Sequence, residues 1–239
     1  MLLFILFWLL LFGGAVGSFL NVVIYRLPAG LSLSYPASRC PKCGHAIRPR
    51  DNVPVFGWIL LRGKCRDCSA SISVRYPLIE GFCSILFVNV GYVVLADRSF
   101  DELEQSLGLI VYHLLLLTTL LAACMIDYDG KKVPIHLFVP AFLGGLIALA
   151  VSWNEAVLDF PLLLVGALLI LPFLPQNRVP WLVGVMMVGL YLGWQIALII
   201  AGLSFLYFFT ARCFRLRILS VLPLFLIAWG AIVRSLFFR

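Results

Sequence analysis

Charged side chains are scarce in this chain. Asp, Glu, Lys and Arg make up 12% of its 239 residues, whereas 63% are hydrophobic, and the mean hydropathy is +1.06. Soluble globular domains carry about 25% charged residues, so this composition excludes that class and predicts a membrane protein. No glycine-rich nucleotide-binding loop is visible in the sequence, and the net charge of +7 does not by itself indicate a nucleic-acid partner.

Long apolar runs predict an all-α polytopic fold of about eight transmembrane helices, with seven as the alternative. Each run is long enough to cross about 30 Å of hydrocarbon. The runs cover residues 2–24, 77–95, 107–126, 135–153 and 160–174, with more between 181 and 238. Residues 181–211 are too many for one span, and Gly193 offers a break between two. We therefore expect a first helix over residues 1–25, a polar module over 26–75 and a helical membrane domain over 76–239.

Basic residues predict the orientation of the spans. With the amino terminus outside, all but three of the 18 Lys and Arg residues fall on the cytoplasmic side, as the positive-inside rule requires. The exceptions are Arg98, Arg234 and Arg239. The module of residues 26–75 is then cytoplasmic, and its basic residues can contact anionic lipid headgroups of the bilayer.

Two Cys-x-x-Cys pairs lie in the polar module. Cys40 and Cys43 form the first pair, and Cys65 and Cys68 form the second. In the reducing cytosol such pairs favour metal ligation over disulfides, and four thiolates suit a closed, structural zinc site. The sequence therefore predicts a small zinc-ribbon-like module. His45 is a fifth candidate ligand, but four sulfurs already complete the site.

Carboxylates at the membrane boundary mark a second candidate site. Asp127 directly follows an apolar run, and Asp129 comes two residues later. A carboxylate there costs free energy unless it is solvated, paired or used. Aspartic peptidases need two carboxyl groups, one as base and one as acid, and residues two apart on a helix point in different directions. The alternative interpretation is a helix-end turn at Asp129-Gly130.

Glu80 lies near the start of the second predicted span. It can complement the dipole at the helix amino terminus. Alternatively, it forms a polar wall of a substrate-binding groove.

Several segments together resemble the type IV prepilin peptidase family. They are residues 17–28 (GSFLNVVIYRLP), 40–45 (CPKCGH), 63–68 (GKCRDC), 75–80 (RYPLIE) and 126–129 (IDYD). The resemblance implies a bacterial inner-membrane GxGD-type aspartic endopeptidase with a second activity as an N-methyltransferase dependent on S-adenosylmethionine. Its substrates would be prepilin or pseudopilin precursors of type IV pili and type II secretion. Asp127 falls at the position of the first catalytic aspartate.

The second half of the chain departs from the family pattern. The Gly-x-Gly-Asp position falls near residues 178–181 (RVPW), and no Asp or Glu follows Asp159. Three hypotheses follow. The chain is a bifunctional enzyme whose second acid comes from an unexpected position or another chain, a methyltransferase-like or substrate-binding relative without proteolysis, or a non-catalytic scaffold that binds pilin-like helices. The sequence does not decide the oligomeric state.

Overall fold

The computed structural model describes residues 1–96, 103–151 and 183–187. It contains five α-helices in the first two of these ranges: α1 (Leu2–Arg26), α2 (Phe56–Leu60), α3 (Arg75–Leu95), α4 (Leu103–Tyr128) and α5 (Val139–Val151). Short 3-10 turns lie at Leu27–Ala29, Pro49–Asp51 and Ile135–Phe138. Within the described ranges β-structure is limited to two isolated antiparallel bridges.

Three of the described helical segments are long and apolar enough to cross a membrane. They are Leu2–Ala29, Arg75–Leu95 and Ser106–Tyr128, and Ile135–Gly145 is a shorter apolar helix. The predictions for residues 2–24, 77–95 and 107–126 are confirmed as helices, since these ranges lie within α1, α3 and α4. The predicted spans beyond residue 160 lie outside the described residues, apart from 183–187, so the number eight stays a prediction.

The chain divides into two compact units, residues 1–97 and 98–239. In the first unit, α1 packs along α3 through glycines. A Cβ atom on Gly17 would lie 2.7 Å from the Cα of Glu80, and one on Gly13 would lie 2.8 Å from the carbonyl oxygen of Cys83. These contacts require glycine at a four-residue spacing, which is a common way for membrane helices to approach closely.

In the second unit, α4 and α5 are joined by the segment that contains the 3-10 turn Ile135–Phe138. The buried side of α4 is apolar along most of its length, and Leu116, Leu117 and Leu120 have no exposed surface. Asp127 lies at the end of this buried side, and the helix ends one residue later.

Candidate functional site

The four cysteines of the polar module come together in space. Their sulfur atoms all lie within 4.8 Å of one another, and the Sγ atoms of Cys40 and Cys68 are 3.8 Å apart. A tetrahedral zinc site with Zn–S bonds of about 2.3 Å requires sulfurs about 3.8 Å apart. The donor set therefore fits a metal ion with four thiolate ligands.

The first Cys-x-x-Cys pair lies on a tight turn that we call the first knuckle, residues 38–47. The backbone N–H of Cys40 donates to the carbonyl of His45 at 2.9 Å, and the N–H of Gly44 donates to the carbonyl of Cys40 at 2.9 Å. Gly44 has a φ of +75°, a conformation that glycine adopts without steric cost. His45 supplies a backbone carbonyl to this turn, and its exposed side chain lies outside the four-sulfur group.

The second knuckle, residues 63–72, repeats the first one 25 residues later. The N–H of Cys65 donates to the carbonyl of Ala70 at 2.8 Å, and the N–H of Ser69 donates to the carbonyl of Cys65 at 2.9 Å. Ser69 has a φ of +58°, so it occupies the position of Gly44. The two knuckles have equivalent backbone hydrogen bonds, and their sulfurs meet at a common centre.

The thiols differ in how readily they ionise. Backbone N–H groups of Cys43 and Lys42 point at the sulfur of Cys40 and lower its pKa to about 6. At Cys43 the N–H of His45 lowers the pKa, but desolvation and the neighbouring thiols outweigh it and raise the pKa to about 12. A bound divalent cation would displace the protons of the sulfurs that bind it.

A metal ion held by Cys40, Cys43, Cys65 and Cys68 would have a structural role. Four thiolates fill the tetrahedral coordination sphere and leave no position for a water or a substrate. The ion would cross-link two turns that are far apart in sequence. Small modules with little hydrophobic core require such a cross-link to be stable.

Contacts beyond the sulfurs fix the second knuckle. The Nε1–H of Trp58 in α2 donates to the carbonyl of Ile72 at 3.0 Å. Arg66 lies between the two cysteines of the second pair. Its guanidinium donates to both carboxylate oxygens of Asp51, and the distance from Nε to Oδ2 is 2.8 Å. The hydrogen bond from Arg66 lowers the pKa of Asp51. These partners are distant in sequence, and no local pattern pairs them.

Glu80 is buried and bonded to the polar module. Its carboxylate accepts a 2.7 Å hydrogen bond from the backbone N–H of Val55, the residue that precedes α2. Val55 has a φ of +61°. Sequence reasoning placed Glu80 correctly near the start of a span but did not find this partner, which lies 25 residues away. Its role in substrate binding stays a prediction.

Asp127 is 9% exposed at the end of α4. The N–H of Gly130 donates to its carbonyl at 2.9 Å, and Gly130 has a φ of +71°. The helix-end turn expected from the sequence is therefore present, while the Asp127 side chain lies on the buried side of the helix. Asp129 is half-buried in the turn itself. The catalytic assignments of Asp127 and Asp129 stay predictions.

Known proteins match much of this chain. A family model described as the bacterial peptidase A24 N-terminal domain matches residues 11–94, which contain both knuckles, Glu80 and most of the α1 and α3 helices. The type 4 prepilin-like proteins leader peptide-processing enzyme of Escherichia coli O78:H11 (strain H10407 / ETEC) is 33% identical over 212 residues, which cover 80% of this chain and 73% of that protein.

The chain belongs to the type IV prepilin peptidase family. Members named prepilin leader peptidase/N-methyltransferase include one from Myxococcus xanthus (strain DK1622), 41% identical over 143 residues, and one from Dichelobacter nodosus, 37% identical over 170 residues. These matches cover 60% of this chain in both cases, and 39% and 56% of the respective relatives. The chain thus spans about half the length of these two family members. No solved structure matches it.

Proposed function

We propose that this chain is a prepilin leader peptidase/N-methyltransferase-like protein of the bacterial inner membrane that acts on prepilin or pseudopilin precursors at the cytoplasmic face. The observation that carries the proposal is family membership, supported by a relative matched over 73% of its length. The relatives' names refer to prepilin and to both activities. The substrate would enter sideways from the bilayer, because a pilin's amino-terminal segment is itself a membrane helix.

In this proposal Asp127 is one acid of the peptidase site. It lies at the boundary of an apolar helix, where an ionisable side chain is a functional candidate. Asp129 is the weaker candidate for its partner, because it lies in the turn after the helix. Cys40, Cys43, Cys65 and Cys68 would hold a structural zinc ion. S-adenosylmethionine is the methyl donor that the relatives' names suggest.

A second candidate function rests on one sequence observation. Residues 160–239 contain no Asp or Glu, so they cannot supply the second carboxyl group that an aspartic peptidase needs. This favours a methyltransferase-only or non-catalytic family member that binds pilin-like helices for pilus or secretion assembly. Loss of one acid of such a pair should nearly abolish hydrolysis.

Intact-mass spectrometry separates the two functions. A pilin-like precursor is incubated with S-adenosylmethionine and the purified protein, the Asp127→Asn variant or the matched Asp129→Asn variant. Leader loss with the wild type but not with Asp127→Asn would support the peptidase. Cleavage by Asp129→Asn would then exclude Asp129 as the partner acid, and loss of cleavage would favour it. An uncleaved precursor, under conditions where a Gly-x-Gly-Asp-bearing relative cuts it, would favour the second function. Methylation of supplied mature pilin would then distinguish a methyltransferase from a non-catalytic protein.

A further inference from the structure

The loop before α2 contacts the α1 and α3 helices far from their ends. A Cβ atom on Gly14 would lie 3.1 Å from the Cβ of Pro54 and 3.0 Å from the Oγ of Ser84. Gly14 precedes Arg26, the end of α1, by twelve residues, and Ser84 follows Arg75, the start of α3, by nine. At 1.5 Å per residue, Pro54 lies about 14–18 Å from the basic ends of the two helices.

This depth is close to the middle of a membrane. The hydrocarbon core of a bilayer is about 30 Å thick, and both α1 and α3 are candidate spans. At the same level, Phe12 and Ile85 expose 63% and 64% of their surface, as expected of side chains that face lipid. Part of the polar module therefore lies at the depth of the membrane-spanning helices.

The residues after Pro54 expose a continuous apolar surface. Phe56, Ile59 and Leu60 are 62%, 55% and 74% exposed. In the sequence Arg50 precedes this segment and Arg62 follows it, and both residues are exposed. Their side chains are long enough to reach anionic headgroups.

Several backbone N–H groups of this segment have the partners that lipid would require. Polar groups in hydrocarbon need partners within the protein. The N–H of Gly57 donates to the carbonyl of Val53, that of Ile59 to Val55, and that of Leu61 to Gly57. The N–H of Val55, at the start of the helical turn, donates to the buried carboxylate of Glu80.

We propose that residues 53–60 form a re-entrant segment that enters the membrane beside α1 and α3, with Phe56, Ile59 and Leu60 in contact with lipid acyl chains. Glu80 is a positioning residue for this segment, since it binds the N–H of Val55, the residue after Pro54. The inference does not depend on whether the protein cleaves or methylates a substrate.

Site-directed spin labelling of the full chain in vesicles of phosphatidylethanolamine and phosphatidylglycerol tests this proposal. A ketone-bearing amino acid at position 56 or 60 takes the label and leaves the cysteines intact. Position 47 is the matched control, because Ile47 is an exposed apolar residue of the same module, 42% exposed. We expect the labels at 56 and 60 to respond more to molecular oxygen than to a water-soluble nickel chelate, and the label at 47 to show the reverse.

Two results would overturn the proposal. Nickel accessibility at 56 and 60 equal to that at 47 would place the segment in water. Low accessibility to both reagents would show that protein covers the face. As a second measurement, Glu80→Leu should raise nickel accessibility at position 56 toward the value at 47, whereas Glu80→Gln, which keeps an acceptor oxygen, should not. An unchanged label in both variants would remove Glu80 from the mechanism.

Discussion

The two knuckles have the same backbone hydrogen bonds but different supports. In the first knuckle glycine occupies the left-handed position, at Gly44, whereas the second has Ser69 there. The second knuckle is held by Trp58 and by the Asp51–Arg66 ion pair. Arg48, the residue after the first knuckle, pairs with Asp67 of the second. The first knuckle thus has the residue better suited to its backbone conformation, and the second has more tertiary contacts.

The two knuckles show two ways in which a small module without a large core is stabilised. A turn whose residues fit its conformation needs few outside contacts. A turn with a strained residue persists when its surroundings determine its shape. The four sulfurs bring the two knuckles together, so the stability of each knuckle depends on the other.

Loss of one of the four sulfurs should destabilise the knuckles most. Cys40 is buried, whereas Cys68 is exposed. For the proposed zinc site, we expect Cys40→Ser to abolish zinc binding and to cause rapid hydrogen exchange in both knuckles, because the remaining thiols cannot close the site. In Cys68→Ser, water can replace the missing ligand, and weakly bound zinc should remain. Elemental analysis with increasing chelator measures this difference, and equal retention in the two variants would contradict it.

An exchange of the left-handed residues should have the next largest effect. Gly44→Ser should lower the local stability of the first knuckle by about 1 kcal/mol, and Ser69→Gly should raise that of the second by about 1 kcal/mol, because a non-glycine residue is strained there. Hydrogen exchange of residues 38–47 and 63–72 measures both changes. In the double variant, the two effects should cancel in overall thermal stability. A loss of stability in Ser69→Gly would show that the serine hydroxyl outweighs the strain.

Features set by local sequence were predicted correctly. The Cys-x-x-Cys spacing places two sulfurs on one turn, so the gathering of Cys40, Cys43, Cys65 and Cys68 was readable from the sequence. The α1, α3 and α4 helices were readable because lipid requires long apolar runs. The close approach of α1 to α3 also left a signal, the spacing of Gly13 and Gly17, which sequence reasoning missed.

Features set by tertiary contact were not predicted. The bond between Glu80 and Val55 joins a helix to a loop 25 residues away, and no local pattern specifies it. The contact of Pro54 with Gly14 depends on how the loop folds back, which periodicity does not encode.

Removal of one indole N–H should loosen the second knuckle alone. Trp58→Phe keeps an aromatic ring but leaves the carbonyl of Ile72 without its side-chain donor. We expect a local destabilisation of about 1 kcal/mol, visible as faster exchange at residues 63–72 and little change at residues 38–47. Trp8→Phe, at an exposed position of α1, is the control. Equal loosening of both knuckles would show that the metal centre, and not the anchor, limits local opening.

The two ion pairs should differ in strength, since their geometry and exposure differ. Asp51 accepts two bonds from Arg66 and its side chain is 7% exposed, whereas Asp67 accepts one from Arg48 and is 29% exposed. The lowered pKa of Asp51 means that its contribution is complete above the ordinary Asp pKa of about 3.9 and is lost as the pH falls through the lowered value. Asp51→Asn should therefore destabilise the module and flatten this part of its pH profile.

Asp67→Asn should have the smallest effect of all. The pair that it breaks is exposed and has one 3.2 Å contact, so we expect a loss of at most about 0.5 kcal/mol that disappears in high salt. Thermal unfolding of the full chain in detergent at low and high salt compares it with Asp51→Asn. A larger loss in Asp67→Asn than in Asp51→Asn would mean that the connection between the knuckles, and not the anchor of the second knuckle, holds the module together.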